Sequence, residues 1–202
     1  MPIYPDLHDV EKHATQMKQL LRDSGLHART ISGIQTKAYR TGRKTTGLHA
    51  TNRESRWTLN PSHPQYGAEH DCKAIFVKLC AQIFCFDNAP QIKDAAFRKI
   101  LEDKYLGHVI EPGRFRDRLL LEHFDFNKLV AEGHKPTHGH SEFHIGHEDP
   151  TLTPKHAADN VSWRSYRSNL IQGNMTLREA RVYFIKLIGR YFELGEIEVA
   201  SK

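Results

Sequence analysis

With 202 residues, 39% of them hydrophobic and 26% charged, the chain can bury a core of its own, which excludes an intrinsically disordered protein. No apolar run approaches the roughly 20 residues a membrane helix needs, and the opening MPIYPDLHDVEKHATQ lacks the basic start and apolar centre of a secretory signal, so a cytoplasmic protein with no membrane partner is expected. The net charge of +5 and pI near 9.1 suit a polyanionic partner without requiring one.

The three cysteines, Cys72, Cys80 and Cys85, are odd in number and form no Cys-x-x-Cys pair. That argues against a disulfide scaffold and against a zinc ribbon. Cys80 and Cys85 sit in AIFVKLCAQIFCF and read as small buried hydrophobes.

In chain order, Val10, Ala14, Met17, Leu20 and Leu21 fall at helical spacing. Asp6 or Asp9 can cap that helix and Gly25 can end it. The next segment, LHARTISGIQTKAYRTGRKTTGLHATNRESRWTLNP, has few strong apolar positions. Its cations are Arg29, Lys37, Arg40, Arg43, Lys44, Arg53 and Arg56 against Glu54 alone, with Tyr39 and Trp57 between them and Gly42 and Gly47 for turns. It reads either as a solvated surface segment or as an arm that tracks phosphates and folds on DNA.

GAEHDCKAIFVKLCAQIFCFD is apolar enough to be a core helix, and APQIKDAAFRKILEDKYLG predicts another, started near Pro90 and ended by Gly107. Pro112-Gly113, set between Val109-Ile110 and Leu119-Leu120-Leu121, predicts a short β-hairpin or a loop and strand. FNKLVAEG predicts a helical turn or more. HGHSEFHIGH alternates as a strand does, with Phe143, Ile145 and His147 on one face and His144 and Gly146 on the other. NVSWRSYRSNLIQGN has helical character around Trp163 to Leu170, which puts Arg164 and Arg167 on a helix. Thr176 and Glu179 form a capping box for the last helix, whose apolar face is Leu177, Ala180, Phe184, Leu187, Ile188 and Tyr191.

The chemistry concentrates between residues 140 and 180, where His140, His144, His147 and His156 precede Asn160 and Asn169. On the residues alone the stretch is either a solvated polar loop or a metal site with a general base. Histidine and asparagine on a strand end and a facing helix can share one divalent ion. A neighbouring neutral histidine can take a proton from water. The bland assignments are loop positions for His138 and His140, an exposed or phosphate-touching His156, a core Trp163, and helix-capping roles for Asn160 and Asn169.

The order and spacing resemble the HNH, or ββα-metal, nuclease family. His147-Glu148-Asp149-Pro150 matches its His-x-x-Pro element, Asn160 with Trp163 its middle asparagine and apolar follower, and Ser168-Asn169 with Gln172-Gly173 its final element. The likeness covers about residues 105 to 175, and its motif 144 to 173. It implies an α+β fold: a mainly helical body with one ββα-metal (HNH) nuclease motif. The expected organisation is a helical N-terminal region, 1–104, carrying a basic DNA-contacting segment at 29–60, and a nuclease region, 105–202, that includes the C-terminal helix.

The implied activity is metal-dependent endonucleolytic hydrolysis of DNA, of the sequence-specific restriction type. Under the resemblance His147 is the general base, and Asn160 joins it in the catalytic set by bracing the loop that holds it. Asn169 is a metal ligand. The family places Asp or His directly before the base, and here that position is Gly146. His144, two residues earlier on the same strand face, is the substitute ligand. Mg²⁺ is the first expectation, and a histidine ligand tilts the choice toward Mn²⁺ or Zn²⁺. Family members often carry a Cys₄ ribbon around the motif, and this chain has no cysteine after Cys85. Lys37, Arg40, Arg43, Lys44, Arg53, Arg56, Arg164 and Arg167 are the expected DNA contacts. Double-stranded DNA is the expected partner, and a restriction-type role adds a homodimer and a cognate methyltransferase. Two rivals remain: a nucleic-acid-binding protein without catalysis, which Gly146 favours, and an unrelated histidine-metal hydrolase.

Overall fold

Asp6 caps the first helix by accepting from Asp9 N at 2.9 Å. In the computed structural model, which describes residues 3–42, 45–46, 49–50, 52–135 and 141–197, this helix is α1, Leu7–Asp23. Val10, Ala14, Met17 and Leu21 are buried along it, as their spacing requires. The chain leaves it through Gly25 at φ 94°, a conformation open to glycine.

The basic segment begins with a helix, α2, Ala28–Tyr39, not with the surface arm expected of it. Three small or medium apolar residues suffice: Ile31, Ile34 and Ala38 share one buried stripe. The described remainder is short, with β1 (Thr45–Thr46) paired antiparallel to β2 (His49–Ala50) and a 3₁₀ turn at Arg56–Thr58. Arg43 and Lys44 lie outside the described residues.

Helix α3, Glu69–Ile83, is the central element, and α1 and α2 both pack on it. Cys72 and Cys80 are among its buried residues, and Cys85 follows, buried and unpaired like them. Helix α4 spans Ala95–Leu101 and widens into a π turn, Glu102–Leu106, that ends at Gly107 with φ 71°. No hairpin forms around Pro112-Gly113; residues 111–124 run as turns joined by a single bridge, Arg116↔His123. Asp117 replaces ladder bonds there, accepting from Leu119 N and Leu120 N at 2.8 Å and from Ser165 N at 2.9 Å.

Helix α5, Phe126–His134, precedes strand β3, Phe143–His147. β3 pairs antiparallel with β4, Val161–Ser165, in a register that sets His144 opposite Arg164 and Gly146 opposite Ser162. Helix α6, Tyr166–Gln172, follows at once, and α7, Leu177–Glu193, closes the described chain. The segment around Trp163 is therefore a strand, and the helix starts only at Tyr166. One buried cluster runs from Val10 through Phe76 and Phe86 to Trp163, so α1, α3 and the β3–β4 pair share a core.

The α7 capping box is present, with Thr176 and Glu179 bonded reciprocally. Its apolar face is not buried as the periodicity suggested. Leu177 and Ala180 are buried, whereas Ile188 and Tyr191 are exposed. No helix among the described residues is long and apolar enough to cross a membrane.

Candidate functional site

The loop from β3 to β4 is held by Asn160, which sits in a 3₁₀ turn, Ala158–Asn160, just before β4. Its Nδ2 donates to the carbonyls of Asp149 at 2.7 Å and Lys155 at 2.8 Å, and its Oδ1 accepts from Asp149 N at 2.8 Å. Its carbonyl accepts from Glu148 N at 2.8 Å. One buried side chain thus ties both ends of the loop that follows His147. Gln172, at the end of α6, braces the same backbone by donating from Nε2 to His147 O at 2.8 Å.

His147 ends β3 and turns its ring toward His156. Nε2 of His147 lies 3.5 Å from Nδ1 of His156, and Nε2 of His156 lies 2.7 Å from the carbonyl of Ala38 at the end of α2. Burial pushes the His147 pKa down to about 4, helped by Lys155, Arg56 and Arg164. Burial likewise pushes His156 down to about 3, with Arg56 the next cause. Both rings are therefore neutral near pH 7. His156 is 2% exposed, which corrects the expectation of a solvated loop histidine.

A cavity of about 250 Å³ opens beside these rings. His144, His147 and His156 line it together with Lys37, Arg40, Arg53 and Arg56. Four basic residues of the N-terminal segment thus meet two of the predicted site residues of β3. Lys37 also donates to Phe143 O at 3.1 Å, and Arg56 donates to Gln65 O at 3.0 Å, which fixes both side chains against the wall.

β3 also meets α6. The His144 ring packs against Tyr166 at 5.1 Å between centroids, and burial and Lys37 lower its pKa. Asn169, one turn further along α6, points its Oδ1 at Gly146, 2.8 Å from where a Cβ would stand. Cγ of Arg164 lies at the same distance from that point. The room left by the missing side chain is thus filled from β4.

Arg164 departs from its predicted place. It belongs to β4, not to a helix, and is 0% exposed, so it does not present a phosphate-binding surface. Its Nε, Nη1 and Nη2 make no hydrogen bond among the described residues, and the nearby carboxylates are Asp117 and Glu148. Arg167 is exposed on α6. Trp163 is a core residue whose Nε1 donates to Leu79 O at 2.8 Å. His138 and His140 lie outside the described residues.

No cluster of three or more His, Cys, Asp or Glu side chains able to hold a metal occurs among the described residues. The two predicted ligands are seen only in separate contacts, His144 with Tyr166 of α6 and Asn169 of α6 with Gly146 of β3.

Sequence reasoning missed the contact of His156 with His147, which depends on a carbonyl 118 residues away in the chain. It also missed the structural part played by Gln172. The one signal for the latter was its place after Asn169 in the motif.

No protein-family model matches the chain, and no curated protein matches it. Among solved structures, a crystal structure of a type II restriction endonuclease is similar, with a TM-score of 0.60 and 18% sequence identity over 83% of this chain and 78% of that one. Over most of its length, the chain shares the α+β fold of that endonuclease.

Proposed function

We propose that this chain is a metal-dependent DNA endonuclease of the ββα-metal (HNH) class, restriction-type in its recognition. The observation that carries the reading is the cavity in which neutral His147 meets Lys37, Arg40, Arg53 and Arg56. The strand–strand–helix order of β3, β4 and α6, with Asn160 tying the loop between the strands, supports it. The shared fold with a restriction endonuclease supports a nucleic-acid substrate.

In this reading the N-terminal region, residues 1–104, supplies the basic wall and residues 105–202 supply the reacting groups. The four cations hold the phosphodiester by charge-assisted contacts. His147 takes a proton from water as the oxygen attacks phosphorus, and the P–O3′ bond breaks on the opposite side. Asn160 keeps the base still while this happens. Asn169 and His144 would hold a divalent cation, Mg²⁺ first and Mn²⁺ or Zn²⁺ as alternatives, which would neutralise charge growing on the phosphate and the leaving oxygen.

The rival of a DNA-binding protein without catalysis has one observation of its own, the Arg164 stem packed where a ligand side chain would project from position 146. Incubating supercoiled and linear plasmid with the purified chain and Mg²⁺, Mn²⁺ or EDTA separates the two. Discrete metal-dependent fragments, lost in His147→Ala, are expected. Intact DNA with every ion, but with retarded migration on a gel, would replace this reading by the rival.

A further inference from the structure

In Arg114-Phe115-Arg116-Asp117-Arg118 the three arginines are exposed, while Phe115 and Asp117 between them are buried. A spacing of two in extended chain sets the arginines along one side. They border a cavity of about 500 Å³. No residue that lines the His147 cavity lines this one.

Its polar wall comes from α3 and β4. Lys78 and Gln82, one turn apart on α3, and Ser162 of β4 line it. Gln82 is 7% exposed, and its amide makes no hydrogen bond among the described residues. Ser162 is 2% exposed, and its Oγ is likewise without a partner there. Two such groups in one wall are costly unless something entering the cavity satisfies them. An amide gives and accepts hydrogen bonds, and a hydroxyl does either, so a group that meets both carries N–H donors and acceptors together. Tyr4 and Phe115 line the same cavity and offer a flat ring an aromatic surface.

The charges select an anion. Lys78, Arg114, Arg116 and Arg118 line the cavity against Glu148 and Asp159, with His108 beside them. Arg118 pairs with Glu148, and Arg114 stands 3.8 Å from Glu111. Lys78 donates to Ala158 O at 2.7 Å and has Glu148 and Asp159 as its nearby carboxylates. Further out, Asp71 adds to Asp159, and Asp117 offsets buried Arg164, with Arg181 near it. Arg116 makes no side-chain bond or ion pair among the described residues. It is the cation left open to an anion from outside.

We infer that this cavity binds a nucleoside monophosphate, with its phosphate on Arg116 and Arg118 and the edge of its base on Gln82 and Ser162. A guanidinium fork suits a phosphate, and an amide with a hydroxyl suits the mixed donors and acceptors of a base edge. The inference does not depend on whether the chain cleaves DNA. Glu148 follows His147 and Asp159 precedes Asn160 in the chain, so an occupant borders the loop that holds the candidate base.

Calorimetric titration of the full chain with each nucleoside 5′-monophosphate in EDTA tests this, with free nucleosides and inorganic phosphate as separate probes. At least one monophosphate should bind with Kd below about 1 mM, and its nucleoside and phosphate alone at least about tenfold more weakly. No monophosphate binding up to about 10 mM would overturn the inference. Phosphate binding as tightly as its best ester would leave only an anion site and overturn it too. Arg116→Glu changes an exposed residue, so the far-UV spectrum should stay unchanged while affinity falls about tenfold or more. Gln82→Met removes an amide that bonds nothing else, so the urea midpoint should not fall while affinity drops about tenfold. Unchanged affinity in both variants would overturn the inference. So would loss in Arg40→Ala with none in Arg116→Glu, which would move the ligand to the His147 cavity. If Arg116→Glu weakened plasmid retardation and left monophosphate binding intact, residues 114–118 would be a duplex contact and the inference would fall.

Discussion

Nε2 of His147 stands 3.5 Å from Nδ1 of His156, and the other side of the His156 ring meets the Ala38 carbonyl at 2.7 Å. A carbonyl can only accept, so Nε2 of neutral His156 carries the proton and its Nδ1 offers a lone pair. His147 can answer that lone pair only with Nε2–H. Its basic nitrogen is then Nδ1. The Ala38 carbonyl at the end of α2 thus sets the tautomer of the candidate base through one intervening ring.

This relay separates two kinds of loss. His147→Ala removes the base itself and should lower the cleavage rate by about 10² to 10⁴. His156→Gln leaves the base present but frees its tautomer and orientation, and should cost about 10- to 100-fold in kcat with little change in KM. Single-turnover cleavage and a DNA-binding titration on each variant distinguish them. Equal loss of binding and of rate in His156→Gln would make the residue merely structural.

The same burial ties stability to pH. Both folded imidazoles titrate far below their ordinary value near 6.5, His147 at about 4 and His156 at about 3. Between those values and 6.5 the unfolded chain binds protons that the folded chain refuses. Their contribution to stability is therefore complete above 6.5 and is lost as pH falls through the folded values. For His147 alone the loss approaches about 3 kcal/mol. Urea midpoints at neutral pH and near about pH 4.5 should differ in that direction, and His156→Gln should flatten the dependence. A midpoint unchanged with pH would show that neither ring is protected.

The basic wall makes a prediction about salt. Arg40 and Arg53 are exposed and line the cavity. Each phosphate contact contributes about 0.9 to the slope of log K against log salt for duplex DNA. Arg40→Ala and Arg53→Ala should each lower that slope by about one and weaken binding uniformly across sequences. Lys37 and Arg56 are poorer probes, because each also bonds a backbone carbonyl and its loss would disturb the wall.

What could be read in advance was local. Asp6 before α1, the Thr176–Glu179 box before α7 and the alternation of Phe143 to His147 are short-range signals, and each element stands where its signal lies. Helix α2 escaped notice because three modest apolar residues among many cations bury well only when α3 is beside them. The helix expected around Trp163 to Leu170 starts too early for a similar reason: nothing within Val161–Ser165 reveals the pairing to β3 that makes it a strand. Arg164 was misplaced along with its strand, and a side chain that looks like a phosphate contact lies buried against Gly146. The apolar face expected of α7 is buried at Leu177 and Ala180 and exposed at Ile188 and Tyr191, because periodicity reports that a face is apolar and not what covers it.

Gly146 is the position where that last kind of error can be tested most directly. A methyl group there would stand 2.8 Å from both Cγ of Arg164 and Oδ1 of Asn169, inside contact distance for each. Gly146→Ala should therefore destabilise the fold by about 1–3 kcal/mol through overpacking, and it should lower activity by displacing Asn169. The Arg164 contact is made by a side-chain carbon, so Arg164→Ala removes that half of the clash. The two changes should then be non-additive, with Gly146→Ala costing less in the Arg164→Ala background than alone. Thermal or urea unfolding of the four proteins measures the coupling. A strictly additive result would mean that Arg164 does not fill the space beside Gly146, and would reopen that space for a ligand side chain.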